Sequence, residues 1–252
     1  MNINAVGNGY SANSYGQIAS GRRINSASDD AAGLTQVQSI KEQTGALDQN
    51  ASNAKDMNSL TKVTDGALSG IGDYLQSMYT ASLKAMNGLT TDQEKNAIQQ
   101  EIDGYMKGIE DIANGTTFNT KNLLNNDEEL NAATNPDGTG SKVKGGNATL
   151  ASLGIEGYNV TGDFDVNKIT SALDKVNSMR SDSGASSNAL DAAYERALNT
   201  SENLTGADSR LEDLDIGKAI SEKKKNEVLD DYKNMMLRNQ MQQESMITKM
   251  LQ

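Results

Sequence analysis

The chain has no histidine and no cysteine, and these two absences remove most catalytic and metal chemistry together. Without them there is no disulfide, thiolate nucleophile, Ser-His-Asp triad or ordinary zinc site. A His-Glu-x-x-His peptidase centre is excluded on the same ground. Zero cysteine suits a protein indifferent to redox state and does not place it inside or outside a cell. Tryptophan is also absent, phenylalanine occurs twice, and 252 residues contain one proline. Helix–helix seams fill with Leu, Ile, Val, Met and Ala rather than large aromatics, and one proline leaves little to interrupt a helix. Excess positive charge is missing too. A net charge of −11 argues against nucleic acid as a partner, because neutralising phosphates needs a basic surface. No apolar run reaches the length of a membrane span, and the N-terminus lacks a basic start followed by an apolar core. Any secretion is therefore expected to use a route that reads no cleavable signal peptide. The expectation is a non-enzyme with no cofactor and no metal.

What is present is helical periodicity. Residues 1–27 are rich in Gly, Asn and Ser and carry little of it. Ser28, followed by Asp29 and Asp30, reads as a helix start, with a capping hydroxyl and two acids at the positive helix end. A seam then runs through Leu34, Val37, Ile40, Thr44, Leu47, Ala51, Ala54, Met57, Leu60, Val63, Ala67, Ile71, Leu75, Met78, Ser82 and Met86. Its step is about 3.5 residues, the coiled-coil period, over a helix on the order of 85 Å long. Asn87-Gly88 is expected to end it with a left-handed cap. Thr91 and Glu94 have capping-box spacing for a second helix, whose apolar positions are Ile98, Ile102, Tyr105, Ile109 and Ile112, and which closes at Asn114-Gly115. The short connection predicts an antiparallel hairpin of helices.

Residues 125–164 change character. Gly, Asn, Thr and Asp crowd there, and Pro136-Asp137-Gly138 is a turn signature. Strands are expected near 129–134, 141–144 and 147–153, in small surface hairpins. Gly138-Thr139-Gly140-Ser141-Lys142 lacks the Gly-Lys-Ser/Thr order and the preceding buried strand of a phosphate loop, so a flexible hairpin is the better reading. A third long helix begins near Asp165. Its seam includes Val166, Ile169, Leu173, Val176, Met179, Leu190, Tyr194, Ala197 and Leu204, and Leu198 is a further candidate for the core. After an expected break at Thr205-Gly206, a last helix runs from about Leu214 to the C-terminus. Ile216, Ile220, Val228, Leu229, Tyr232, Met236, Ile247 and Leu251 mark its apolar side, and Met235, Met241, Met246 and Met250 enrich it as adaptable packing. Lys223-Lys224-Lys225, bracketed by Glu222 and Glu227, reads as a solvated face. The fold class is mainly α: a long antiparallel coiled-coil-like bundle of N- and C-terminal helices with a small hairpin region between.

Arg22-Arg23-Ile24-Asn25-Ser26-Ala27-Ser28-Asp29-Asp30-Ala31-Ala32-Gly33-Leu34 resembles the signature of bacterial flagellins, here in a short form with a minimal variable region. Asn53-Ala54-Lys55-Asp56, Val63-Thr64-Asp65-Gly66-Ala67-Leu68 and Thr116-Thr117-Phe118-Asn119-Thr120-Lys121-Asn122-Leu123-Leu124 continue the likeness. At the other end, Ser209-Arg210-Leu211-Glu212-Asp213-Leu214-Asp215-Ile216 and the stretch from Glu222 to Leu237 agree with it. The resemblance implies a structural subunit that self-assembles into the motility filament outside the cell. It also implies export through the flagellar type III system, a cytoplasmic chaperone on the C-terminal helix, and cap and hook-junction proteins as partners. In that scheme 1–27 is a short inner-core segment, 28–124 the N-terminal rod helices, and 125–164 a short variable surface. Residues 165–206 form the C-terminal rod helix, and 207–252 the connecting turn and terminal inner-core helix. Only 21 residues precede Arg22, with Gly7, Gly9, Gly16 and Gly21 among them, so little helix is expected there.

Two rival classes are weighed against this. Glu128-Glu129 and Asp213 with Asp215 are paired carboxylates, for which capping is the simpler reading than catalysis. A hook–filament junction protein or a minor filament-associated coiled-coil protein shares terminal rod helices and stays the alternative, with 22–34 and 209–229 favouring the filament subunit. Asn-x-Ser/Thr triplets such as Asn147-Ala148-Thr149 are expected by chance in so Asn-rich a chain. Finally, flagellins that activate a host Toll-like receptor resemble one another where Leu-Gln-Arg is followed by an acid and Leu on the first long helix. Here Leu75 and Gln76 match, while Ser77, Thr80 and Ala81 replace the Arg, the acid and the Leu, which implies weak signalling.

Overall fold

The computed structural model describes residues 14–250. Expectations that fall on residues 1–13 and on Leu251 lie outside the described residues. The elements are α1 (residues 14–20), α2 (Ala31–Ala85), α3 (Asp92–Gly115), β1 (Thr117–Phe118), β2 (Lys121–Asn122), β3 (Glu129–Ala133), β4 (Gly140–Lys144), α4 (Leu150–Leu153), α5 (Asn167–Glu212) and α6 (Ile216–Met250). The chain divides into two compact units. One is Gly45–Ser201; the other joins the two ends, through Thr44 and from Glu202.

In the central unit α2 and α5 run antiparallel, as their polar pairs show. The Ser201 hydroxyl donates to Asp48 at 2.8 Å, Ser187 donates to Asn58 at 2.8 Å, and Arg180 meets Asp65 at 2.9 Å. Asn58, itself buried, also donates to Asp191. Polar groups inside a helix seam fix its register, since any slip leaves them unpaired. Helix α3 folds back on α2: the Tyr74 and Tyr105 rings lie 6.0 Å apart, and a Cβ on Gly70 would touch Ile112 at 3.4 Å. Leu68, Ile71, Leu75, Met78, Ile102 and Ile109 are fully buried between these helices. Each such side chain contributes about 1.5–3 kcal/mol relative to exposure.

The helix ends show where local signals worked. Thr91 accepts from the Glu94 amide at 3.3 Å while its own amide donates to Glu94 at 2.8 Å, the expected capping box. These bonds to the carboxylate hold Glu94 below its usual range. Ser28 is not the cap of α2. That place belongs to Asp30, whose carboxylate accepts from Gly33 at 2.8 Å. Asn87-Gly88 does follow the end of α2, but neither residue is left-handed. Instead the Thr90 hydroxyl donates back to the Lys84 carbonyl at 3.0 Å, and the Asn87 side chain accepts from Leu89 at 3.2 Å. There is no break at Thr205-Gly206: α5 continues to Glu212, with Arg210 donating to the Gly206 carbonyl at 3.0 Å. Residues 14–20 are helical despite Gly16.

The stretch 125–164 is more than surface. β3 and β4 pair antiparallel from Glu129↔Lys144 to Ala133↔Gly140, closed by a turn with Gly138 at φ 80°. The region 147–153 is not a strand. Thr149 caps the short α4, accepting from Ser152 at 3.4 Å. Val143, Ala148, Leu153, Ile155, Tyr158 and Val160 all enter the same core as α2, α3 and α5. Gln99 of α3 clasps this segment, donating to the Tyr158 carbonyl at 3.1 Å and accepting from the Val160 amide at 2.7 Å. Burial pushes the Tyr158 phenol above its usual value, with the Ser82 hydroxyl opposing and Asp165 adding to the shift.

Candidate functional site

The signature residues converge on one joint in the unit formed by the chain's ends. Asp29 closes a turn, its carboxylate accepting from the Asn25 and Ser26 amides, each at 3.0 Å. Asp30 then caps α2, and Arg23 lies 4.0 Å from it. Ile24 is buried beneath this turn. A Cβ at Gly33 would meet the Asp30 carboxylate and would stand 2.7 Å from Ile24 Cδ1, so glycine is required by close approach. The sequence Asp-Asp-Ala-Ala-Gly is thus a turn, a cap and a clearance in succession.

This turn is stitched to the far end of the chain. Arg23 donates its amide to the Glu212 carbonyl at 2.6 Å and its guanidinium to the Leu211 carbonyl at 2.6 Å. The Leu214 amide returns a bond to Gly21 at 3.0 Å, and Arg22 bridges Asp213 through the backbone. The Glu212 carboxylate is buried and receives Arg22 at 3.2 Å and Lys41 at 2.5 Å. Asp213 accepts from Ser209, and Asp215 caps α6, accepting from the Lys218 amide at 3.0 Å. Glu129 pairs with Lys142 across the hairpin at 3.3 Å. Of these paired carboxylates, Asp215 serves as a cap, while Asp213 and Glu129 make local pairs. Arg210 stays on its own helix. Lys41 was not among the residues the sequence singled out and Glu212 appeared only within the resembling stretch; they are 171 positions apart, and no local pattern points to the pair.

Removing both cations strands a buried carboxylate, whereas neutralising the carboxylate frees two half-exposed cations to water. Arg22→Ala with Lys41→Ala should therefore lower the opening free energy of this joint by about 3 kcal/mol, and Glu212→Gln by about 1 kcal/mol. Hydrogen exchange at the Arg23 and Leu214 amides measures it. An equal or reversed order would show that burial of Glu212 does not control the joint.

Among the expected core positions, Leu60, Ile71, Leu75, Ile102, Ile109, Val176 and Leu190 are buried, while Leu34, Ile98, Leu173 and Leu204 are half-buried. Leu198 is a correction: it is 42 % exposed, because Ala193, Ala197 and Ser201 hold the inward line of α5 and residue 198 lies about 100° past 197. Val63 and Met86 are likewise outward. Thr61 and Thr64 take the inward places beside Val63, their hydroxyls satisfied by the Met57 and Leu60 carbonyls at 2.9 and 3.1 Å. In the receptor-like segment Gln76 and Thr80 are exposed and Ser77 half-buried, but Leu75 and Ala81 face the core and offer nothing to a partner.

The other feature of the end unit is α6. From Ile216 to Ile247 its large apolar side chains are 40–67 % exposed. Lys223 is an exception to the solvated basic face expected there: its ammonium sits 3.5 Å over the Tyr15 ring, and the Tyr15 hydroxyl donates to Glu227 at 3.4 Å.

The family model for the bacterial flagellin N-terminal helical region matches residues 4–129, and that for the C-terminal helical region matches 166–251. A flagellin of Halalkalibacterium halodurans is 30 % identical over 244 residues, spanning 93 % of this chain and 89 % of that protein. One from Bacillus subtilis is 28 % identical, spanning 100 % and 96 %. The crystal structure of Bacillus cereus flagellin shares the fold, with a TM-score of 0.50 at 24 % identity over 58 % of this chain and 88 % of that one. The chain belongs to the bacterial flagellins, the structural subunits of the flagellar filament.

Proposed function

We propose that α6, together with the segment before Arg22, is the surface through which this subunit polymerises. The observation that carries the reading is the exposed apolar side of α6, which has no covering element of comparable length among the described residues. Exposed apolar side chains in such a run mark an interaction site. In this reading residues 1–27 and 207–252 form the inner tube, 28–124 and 165–206 the surrounding rods, and the outward side of 125–164 the filament surface. Export by the type III route would require a chaperone to cover α6 beforehand, with cap and hook-junction proteins guiding the subunit outside the cell.

Limited proteolysis tests the assignment. The free monomer should be trimmed to a core near residues 25–210, because α6 is held by few intrachain contacts, and the filament should resist. Equal cleavage of α6 in both states would exclude it as the buried assembly surface.

The host-receptor reading narrows to Gln76, Ser77 and Thr80. Ser77 and Thr80 spend their hydroxyls on the Asp73 and Gln76 carbonyls of their own helix, each at 3.0 Å. Neither supplies the fork of an Arg or the charge of an acid. The monomer should signal weakly through a flagellin-sensing Toll-like receptor, and Ser77→Arg with Thr80→Glu should raise potency by about ten- to a hundredfold. A reporter-cell titration checks this; strong signalling by the unmodified monomer defeats it.

A further inference from the structure

We infer that α6 is a peroxide-sensitive assembly switch, in which oxidation of Met235, Met236 and Met246 blocks polymerisation. The inference rests on the reading of α6 as the assembly surface. Because the chain has no cysteine, its only sulfur is thioether, so methionine is the first sulfur a peroxide meets. The thioethers differ sharply in access. Met78 is fully buried in the central core, whereas Met235, Met236 and Met246 are 59, 53 and 60 % exposed. At 100° per residue these three share a stripe about 120° wide with Val228, Leu229, Tyr232 and Ile247, while Met241 falls outside it. The oxidisable groups therefore lie within the apolar stripe itself.

The chemistry balances with hydrogen peroxide as the only co-reactant. The sulfur lone pair attacks one peroxide oxygen, the O–O bond breaks, and an S–O bond forms. Sulfur loses two electrons and the peroxide is reduced to water. The product is a polar sulfoxide in place of an apolar thioether. Once the apolar side chains of a neighbouring subunit cover that stripe, the sulfoxide oxygen exchanges its hydration for contact with groups that donate no hydrogen bond, which opposes association. Reduction by a thiol-dependent sulfoxide reductase would restore the surface. The device acts before assembly and is silent afterwards, since the filament would shield the same sulfurs.

The test treats the full-length monomer with hydrogen peroxide, maps oxidation by peptide mass spectrometry and follows polymerisation on filament seeds by light scattering. Met235, Met236 and Met246 should oxidise while Met78 is spared. The elongation rate should fall at least about tenfold, the factor equivalent to 1.4 kcal/mol. The triple variant Met235→Leu, Met236→Leu, Met246→Leu should elongate at the untreated rate with or without peroxide. Unchanged elongation of the fully oxidised monomer, or equal inhibition of the leucine variant, overturns the proposal. Preformed filaments separate this from the underlying reading. If the three methionines react equally in filament and monomer, α6 is not the assembly surface. If they are protected but the oxidised monomer still elongates normally, only the switch fails.

Discussion

Ile109→Asp should unfold the central unit. Ile109 is fully buried on α3, in the core shared by α2 and α3. The substitution removes apolar volume, which alone costs about 2–5 kcal/mol, and sets a carboxyl where nothing accepts it. The acid must either stay charged without a partner or take up a proton, and each adds several kcal/mol to the cost. Against a total stability of about 5–15 kcal/mol, little folded protein would remain. Ile109→Val, by contrast, should cost only about 0.5–1.5 kcal/mol. Circular dichroism on heating separates the two. A cooperative transition for the aspartate variant at the wild-type temperature would mean that α3 does not contribute Ile109 to the core.

Ile109 was legible because its information is local. Five apolar residues stepping by four and three between a capping box and Asn114-Gly115 define one helix face without reference to the rest of the chain. Where a single residue type admits two readings, the sequence was less decisive. Thr64 reads as surface by polarity, yet a helical threonine can return its hydroxyl to the preceding turn and then pack as an apolar group. That is why the inward line passes through Thr64 and leaves Val63 outside. The hairpin of β1 and β2 escaped notice for a related reason. Its turn places Asn119 at φ 48° and Thr120 at φ 67°, and a β-branched residue rarely occupies that region.

The joint between the Arg22 turn and Glu212 was half legible. The Arg22 to Gly33 stretch announces itself by resemblance, but its pattern put the cap at Ser28, whereas Asp30 takes that place and Asp29 closes the turn before it. The pairing with Glu212 does not announce itself, because its ion pair to Lys41 depends on how two helices with distant sequence positions are brought together. Thr205-Gly206 misled in the opposite direction. A Gly costs a helix about 1 kcal/mol, which decides the fate of a short isolated helix but not of α5, whose side chains are anchored on both sides of that point.

Val228→Asp with Tyr232→Asp should abolish filament formation while leaving the monomer's folding intact. The two residues are one helical turn apart on α6, 67 and 59 % exposed. Exposed substitutions of this kind usually change stability by no more than about 0.5 kcal/mol, so the monomer's thermal transition should stay where it is. In a filament the same positions would be covered by a neighbouring copy. Each subunit would then bury two carboxylates without partners, and that desolvation cost adds to the loss of apolar contact. A penalty of several kcal/mol per subunit lowers the association constant by at least about a thousandfold and carries the critical concentration beyond that of any ordinary preparation. Electron microscopy and sedimentation of seeded samples give the answer. Normal filaments from this variant would place the polymerisation surface elsewhere on the chain, and a shifted monomer transition would show that Val228 and Tyr232 pack within their own subunit.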